Sequence, residues 1–269
     1  MAAARSSRKH PEASRGAAVK LLRRTLDAVI FDMDGVVTRT AVLHAAAWKQ
    51  LFDEFLQARA GEPGSFRPFD TEADYRYYVD GKPRYDGVAS FLASRDISLP
   101  YGSPDDPPDA DTVCGLGNRK DAFFQQMLKR DGVEVYESTI RLIRRLKDAG
   151  IKTGIFSASR NAGSILAAAG IHRLFDAKVD GLDAEKLSLA GKPSPETLLE
   201  LARRLGASPA RTAVVEDAIA GVQAGRAGDF ALVIGVNRSG KPGTLLANGA
   251  DVEVSDLSQV ELSVDGAGA

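Results

Sequence analysis

Cysteine is almost missing from this chain: Cys114 is the only one in 269 residues. That excludes an internal disulfide framework and fits a reducing compartment, so a cytoplasmic location is expected. Long apolar runs are missing as well. No stretch approaches the roughly 20 residues needed to cross a bilayer, and no membrane partner is expected. Neither sign of charge prevails. Lys and Arg number 35 against 36 for Asp and Glu, a formal charge of −1. No global basic field therefore points to nucleic acid. What is present, 44% hydrophobic and 26% charged, is the balance of a soluble globular enzyme with one large domain or two unequal ones.

Residues 1–24 are rich in Arg, Lys, Ser and Ala. They lack the apolar core of a secretory signal and read as a flexible basic tail. Gly266–Ala269 reads as a second loose end. Between them, apolar runs at Ala28–Phe31, Ile151–Phe156, Ala177–Val179, Thr212–Val215 and Ala231–Val236 read as strands. Helical periodicity fills the gaps at Thr139–Ala149, Ala162–Ala169, Pro195–Leu205 and Ala218–Ala227. Such alternation predicts an α/β fold, a parallel sheet covered by helices. The stretch 40–132 breaks the alternation. Its helices are expected at Ala41–Ala60, Thr71–Val79, Gly87–Ser94 and Lys120–Lys129, with an exposed Pro- and Asp-rich loop at Tyr101–Asp111. It reads as a helical insertion, placed where it can act as a lid. The expected division is a tail at 1–24, a core at 25–39 plus 133–269, and an insertion at 40–132.

Four polar clusters follow strand ends. The first is Asp32-Met33-Asp34-Gly35. Side chains two apart on a strand point the same way, so Asp32 and Asp34 face one volume. The Met33 and Gly35 N–H groups are candidates to cradle phosphate oxygens, although a lone pair of this kind also caps turns. The second is Ser157-Ala158-Ser159-Arg160-Asn161, either helix caps or an anion site at a helix N-terminus. The third is Lys192, before a proline turn. Beside two carboxylates and a phosphate it would screen their repulsion. The fourth is Glu216-Asp217. Two more acids there need a cation, and hard carboxylates with open water positions suit Mg²⁺.

In this order the clusters resemble the four motifs of the haloacid dehalogenase-like superfamily of phosphotransferases, over about Thr25–Asp256. The resemblance implies a Rossmann-like core with an inserted α-helical cap. It also implies Asp32 as a nucleophile forming an aspartyl-phosphate and Asp34 as general acid/base, giving its backbone carbonyl to Mg²⁺. Ser157, with Met33 and Ala158 beside the site, and Lys192 hold the transferring phosphoryl group. Glu216 and Asp217 complete a metal set of Asp32, Asp34, Glu216 and Asp217. Within the superfamily the chain is similar to the β-phosphoglucomutase group. Thr40, His44 and Trp48 follow the first motif at that group's spacing, and His44 and Trp48 share one helix face. Gly81 and Arg84 resemble its substrate loop, with Arg84 gripping the non-transferring phosphate. Lys120, Arg160 and Asn161 are further expected substrate contacts. His44 and Trp48 also suit ordinary packing. The stretches Gly61–Arg67 and Ser98–Asp111 exceed the compact members of the group.

The resemblance implies a mutase interconverting β-glucose 1-phosphate and glucose 6-phosphate through a sugar bisphosphate. The alternative is a sugar-phosphate phosphatase on the same core. A non-enzymatic binding protein is opposed by the intact Asp32, Asp34, Lys192 and Asp217. A haloalkanoate dehalogenase is opposed by Asp34, which that group generally lacks. The expected partner is a small sugar phosphate, met by a monomer.

Overall fold

The apolar run that ends in Asp32 forms the middle of a sheet. In the structure, a computed structural model describing residues 19–61, 66–238 and 241–263, the order begins β1 (Val19–Leu22), β2 (Ala28–Asp32), α1 (Ala41–Arg59), α2 (Arg84–Ala93), α3 (Val113–Asp131) and α4 (Glu137–Asp148). It continues β3 (Lys152–Phe156), α5 (Ala162–Ala168), β4 (Ala177–Val179), α6 (Gly181–Lys186), α7 (Glu196–Leu205) and β5 (Thr212–Glu216). It ends α8 (Ile219–Ala227), β6 (Leu232–Val236), α9 (Thr244–Ala247), β7 (Val252–Val254) and β8 (Val260–Ser263).

Six strands make one parallel sheet in the order β4-β3-β2-β5-β6-β7. Every residue of β2 and β5 is buried. That is why they read as continuous apolar runs rather than alternating ones. The chain winds from β2 to one side through β3 and β4, then to the other through β5. The reversal leaves a crevice at the carboxyl end of β2, where open α/β sheets bind ligands. Helices cover both faces. Ile140, Ile143, Leu146 and Ile165 pack with Val29 and Phe31. Leu198, Leu201 and Val222 pack with Ile30 and Val214. Each such side chain contributes roughly 1.5–3 kcal/mol on burial.

Between β2 and α4 lie α1, α2, α3 and a wide π-type turn at Tyr75–Val79. They share a separate aromatic core of Trp48, Phe52, Phe69 and Phe91, with the Phe52 and Phe91 centroids 3.9 Å apart.

Three readings of the sequence need correction. Residues 19–22, expected in the tail, form β1, paired parallel with β8 from Val19↔Val260 to Leu22↔Ser263. Leu21 is 1% exposed, and its burial fixes a segment that composition alone made look solvated. Next, α3 starts at Val113 rather than at Lys120. The Thr112 hydroxyl caps it, accepting the Gly115 N–H at 2.9 Å. The poor helix formers Gly115 and Gly117 hid that first turn. Last, α2 starts at Arg84, earlier than Gly87. Residues 1–18 and 266–269, read as loose ends, lie outside the described residues. Among the described residues no helix is long and apolar enough to cross a membrane.

Candidate active site

β2 and β5 are paired in parallel register up to Phe31↔Val215. Their next residues, Asp32 and Glu216, therefore emerge together at the sheet edge, and Asp217 follows on the turn into α8. One carboxylate oxygen from each of the three lies within 4.8 Å of the others. Two glycines admit them. A Cβ on Gly35, whose φ is +89°, would stand 1.7 Å from Asp217 Oδ2. A Cβ on Gly221 would stand 2.1 Å from the Glu216 carboxyl carbon. Lys192 Nζ lies 2.6 Å from Asp32 Oδ1 and also ion-pairs with Glu216. Burial works against the Lys192 charge, yet Asp32 and Glu216 hold it above the ordinary lysine range. Burial, reinforced by Glu216, pushes Asp32 well above the usual carboxylate range. Burial, with Asp80, Asp32 and Glu216, does the same to Asp217. One ammonium thus faces three converging carboxylates. That shortage of positive charge, with an all-oxygen donor set, fits a divalent cation.

Asp34 stands beside this cluster and is held differently. Its Oδ1 accepts from the Thr40 hydroxyl and its Oδ2 from the Ser157 hydroxyl at 3.0 Å. His44 Nε2 lies 3.3 Å from Oδ1. Burial alone would raise the Asp34 carboxyl, but His44, Thr40 and Ser157 overcome it and hold the group at about 2. On its other side His44 meets Lys120, with Nδ1 and Nζ 2.6 Å apart. The imidazole stacks on Phe124 at 4.0 Å. Burial first, and then the Lys120 charge, lower the His44 pKa. The ring thus stands between Lys120 on its Nδ1 side and Asp34 on its Nε2 side.

A cavity of about 400 Å³ separates this sheet edge from the inserted helices. The insertion meets the core beside it, where Gly81 in the turn before α2 abuts Ala218 and Pro83 abuts Gly191. Of the residues singled out in the sequence, Asp32, Asp34, Ser157, Ala158, Lys192 and Asp217 line its core side. His44, Trp48, Gly81, Arg84 and Lys120 line the insertion side, and Arg160 lines the rim, 3.5 Å from Glu185. Arg84, at the start of α2, reaches Asp121 Oδ1 with Nη2 at 2.9 Å and Asn118 Oδ1 with Nη1 at 3.1 Å.

Other expected residues are placed differently. The Met33 N–H does not face a phosphate: it donates to Phe156 O at 2.9 Å, and the Gly35 N–H donates to Thr38 O at 2.8 Å. The turn after β2 uses these donors itself. Thr40 is 1% exposed and spends its hydroxyl on Asp34 and on Thr38, 2.6 Å away, rather than on the cavity. Trp48 shows the cavity only an edge; it is 3% exposed and stacks on Phe52 at 5.3 Å. Asn161 turns to Asp121 Oδ1 at 2.8 Å. The Asp34 side chain stands outside the three-carboxylate cluster. Asp80, Tyr75 and Asp121 went unread in the sequence. Asp80 lines the cavity from the insertion, and burial with the nearby Glu216 pushes its carboxyl up to about 7. The Tyr75 hydroxyl is hydrogen-bonded to it. A lone Asp in a Gly-Lys-Pro turn carries no pattern that would have marked it.

Known proteins resemble the chain along most of its length. A family model for haloacid dehalogenase-like hydrolases matches residues 26–229. β-Phosphoglucomutases of Mycobacterium bovis and Mycobacterium tuberculosis are 47% identical over 237 residues, which is 87% of this chain and 90% of each of theirs. The β-phosphoglucomutase of Bacillus subtilis is 33% identical over 241 residues, covering 89% of this chain and 93% of its own. The crystal structure of a β-phosphoglucomutase from Clostridium difficile shares the fold, with a TM-score of 0.68 at 24% identity over 87% of this chain and 92% of that one. The chain belongs to the haloacid dehalogenase-like hydrolase family and, within it, to the β-phosphoglucomutase group.

Proposed function

We propose that this protein is a Mg²⁺-dependent β-phosphoglucomutase. It interconverts β-D-glucose 1-phosphate and β-D-glucose 6-phosphate through a glucose bisphosphate and a phosphorylated Asp32. One observation carries the reading: a single cavity is lined from the core by Asp32, Asp34, Lys192 and Asp217 and from the insertion by Arg84 and Lys120. A phosphatase needs only the core side. The 47% identity to β-phosphoglucomutases over most of the chain supports the same choice.

Phosphoryl transfer depends mainly on positioning and on neutralising charge. Asp32, Glu216 and Asp217, with the Asp34 carbonyl, would hold Mg²⁺, which would supply positive charge to the transferring phosphoryl oxygens. Lys192 adds a fixed charge from the protein. The Asp32 carboxylate attacks phosphorus in line, forming the Asp32–phosphate bond as the phosphorus–oxygen bond to the sugar breaks. Asp34, ionised as it stands, takes the proton of the sugar hydroxyl that attacks phosphorylated Asp32. In the reverse direction it returns that proton to the leaving oxygen. Ser157, Thr40 and His44 hold Asp34 in place, and Lys120 holds His44. Arg84, with Lys120, Arg160 and Asn161 around it, holds the phosphate that is not being transferred.

Purified protein with Mg²⁺, β-glucose 1-phosphate and a trace of the bisphosphate should yield glucose 6-phosphate. Free phosphate without glucose 6-phosphate would make it a phosphatase. Mutase activity unchanged in Arg84→Ala would remove the role given to Arg84.

A further inference from the structure

Asp121 follows Lys120 on α3 and lines the insertion side of the cavity. One of its oxygens, Oδ1, accepts from both Arg84 Nη2 at 2.9 Å and Asn161 Nδ2 at 2.8 Å. Arg84 belongs to the inserted helices, whereas Asn161 precedes α5 in the core. A single carboxylate oxygen therefore ties the two sides of the cavity together. A guanidinium and an amide N–H converging on one anionic oxygen is also how a phosphate oxygen is held. The Arg84 and Asp121 side chains are only 18% and 26% exposed, so water screens the pair less than it would a surface pair. The other Arg84 nitrogen, Nη1, stays on the neutral Asn118 carbonyl oxygen.

We propose that Asp121 is a specificity-determining residue: in the empty enzyme its carboxylate occupies the grip meant for the non-transferring phosphate, and an incoming phosphate displaces it. This rests on the reading of Arg84 as that grip. A doubly charged phosphate offers Arg84 and Asn161 more negative charge than one carboxylate does, and more oxygens to share between them. A neutral sugar offers no charge and leaves Asp121 in place. The phosphate then takes over the link between inserted helices and core, so closure is re-formed around phosphorylated ligands only.

Asp121→Asn keeps the shape of the side chain and an acceptor oxygen but removes the competing charge. Calorimetric binding of glucose 6-phosphate to the unphosphorylated protein should tighten by about threefold to tenfold, which corresponds to roughly 0.7–1.4 kcal/mol. Binding of glucose should not change. The gain should vanish when Arg84→Ala is added. Unchanged or weaker glucose 6-phosphate binding by an Asp121→Asn protein that melts like wild type overturns the proposal. Arg84→Ala alone separates the two failures. Weaker binding in Arg84→Ala with no gain in Asp121→Asn overturns the Asp121 proposal only. Unchanged binding in Arg84→Ala overturns the reading of Arg84 and the proposal with it.

Discussion

Lys120 Nζ lies 2.6 Å from His44 Nδ1, and His44 Nε2 lies 3.3 Å from Asp34 Oδ1. Lys120 thus orients the imidazole whose other nitrogen faces Asp34. Burial, reinforced by the Arg84 charge, pulls the Lys120 ammonium from 10.5 down to about 7. Between those two values the unfolded chain holds a proton that the folded protein has released. Stability therefore rises with pH across that window. Below it, the buried charge is a full cost. Lys120→Met should accordingly melt higher than wild type below about pH 7, and the gap should close toward pH 10.5, by at most about 1.4 kcal/mol per pH unit. The same variant should lose at least about tenfold in kcat, because His44 is no longer held. Melting curves over this pH range test the stability claim; a variant that melts below wild type throughout contradicts it.

Gly35 admits the Asp217 carboxylate into space that any side chain would fill. Gly35→Ala should cost about 1–2 kcal/mol through its positive φ alone. The clash with Asp217 adds to that. Calorimetry should show Mg²⁺ binding weakened by about tenfold or more, since the cluster loses one of its three carboxylates. Adding Asp217→Ala should recover part of the stability, because the new Cβ then has room, and none of the metal binding. If the double variant is no more stable than Gly35→Ala, the clash is not the cause.

Lys192 is the counter-ion of Asp32 and Glu216, all three nearly out of contact with water. Removing one partner of a buried ion group leaves its charges uncompensated, at about 3–5 kcal/mol. Lys192→Met in a chelator should lose stability of that order in urea unfolding. Saturating Mg²⁺ should return part of it, about 2.7 kcal/mol at a hundredfold excess over Kd. Turnover should stay at least about a hundredfold down, because the metal does not replace a fixed charge on the phosphoryl group. A variant as stable as wild type without metal would show that Lys192 does not hold these acids together.

What the sequence revealed and what it hid follow from the range of the interactions involved. β2, β3, β5 and β6 are almost wholly buried, so each shows as an apolar run, and the acids that end β2 and β5 stand out by contrast. β1 is different. It sits in a basic stretch and is a strand only because Val260–Ser263 pairs with it from the far end of the chain. No local pattern announces such a partner. The same holds in the site. Asp32, Asp34, Glu216 and Asp217 stand at the ends of β2 and β5, and Lys192 in the proline turn before α7. Asp80 and Asp121 matter because the inserted helices face the core, and an acid on a turn or helix surface is ordinary in sequence. Thr40 and Trp48 were visible by spacing, but spacing could not say whether they face the cavity or their own neighbours.

The loop at 98–111 lends Pro104 to the cavity lining and reaches Arg84 through Asn118. Asn118 Nδ2 donates to Pro104 O at 3.0 Å and to Asp106 O at 2.8 Å. Its Oδ1 accepts from Arg84 Nη1 at 3.1 Å and from the Tyr85 hydroxyl at 3.0 Å. The loop thus fixes Asn118, and Asn118 fixes the guanidinium. Asn118→Ala removes both ends of this link and should raise KM for the sugar phosphate about threefold to tenfold, with kcat within about twofold, since a positioning contact is worth roughly 1 kcal/mol. Asn118→Asp separates the two ends. It keeps an acceptor for Arg84 and loses both donors to the loop. Its KM should rise too, because a second carboxylate on Arg84 competes with the incoming phosphate, while limited proteolysis cuts faster between Tyr101 and Asp111. Equal KM in all three proteins would mean that the loop covers the cavity without steering Arg84.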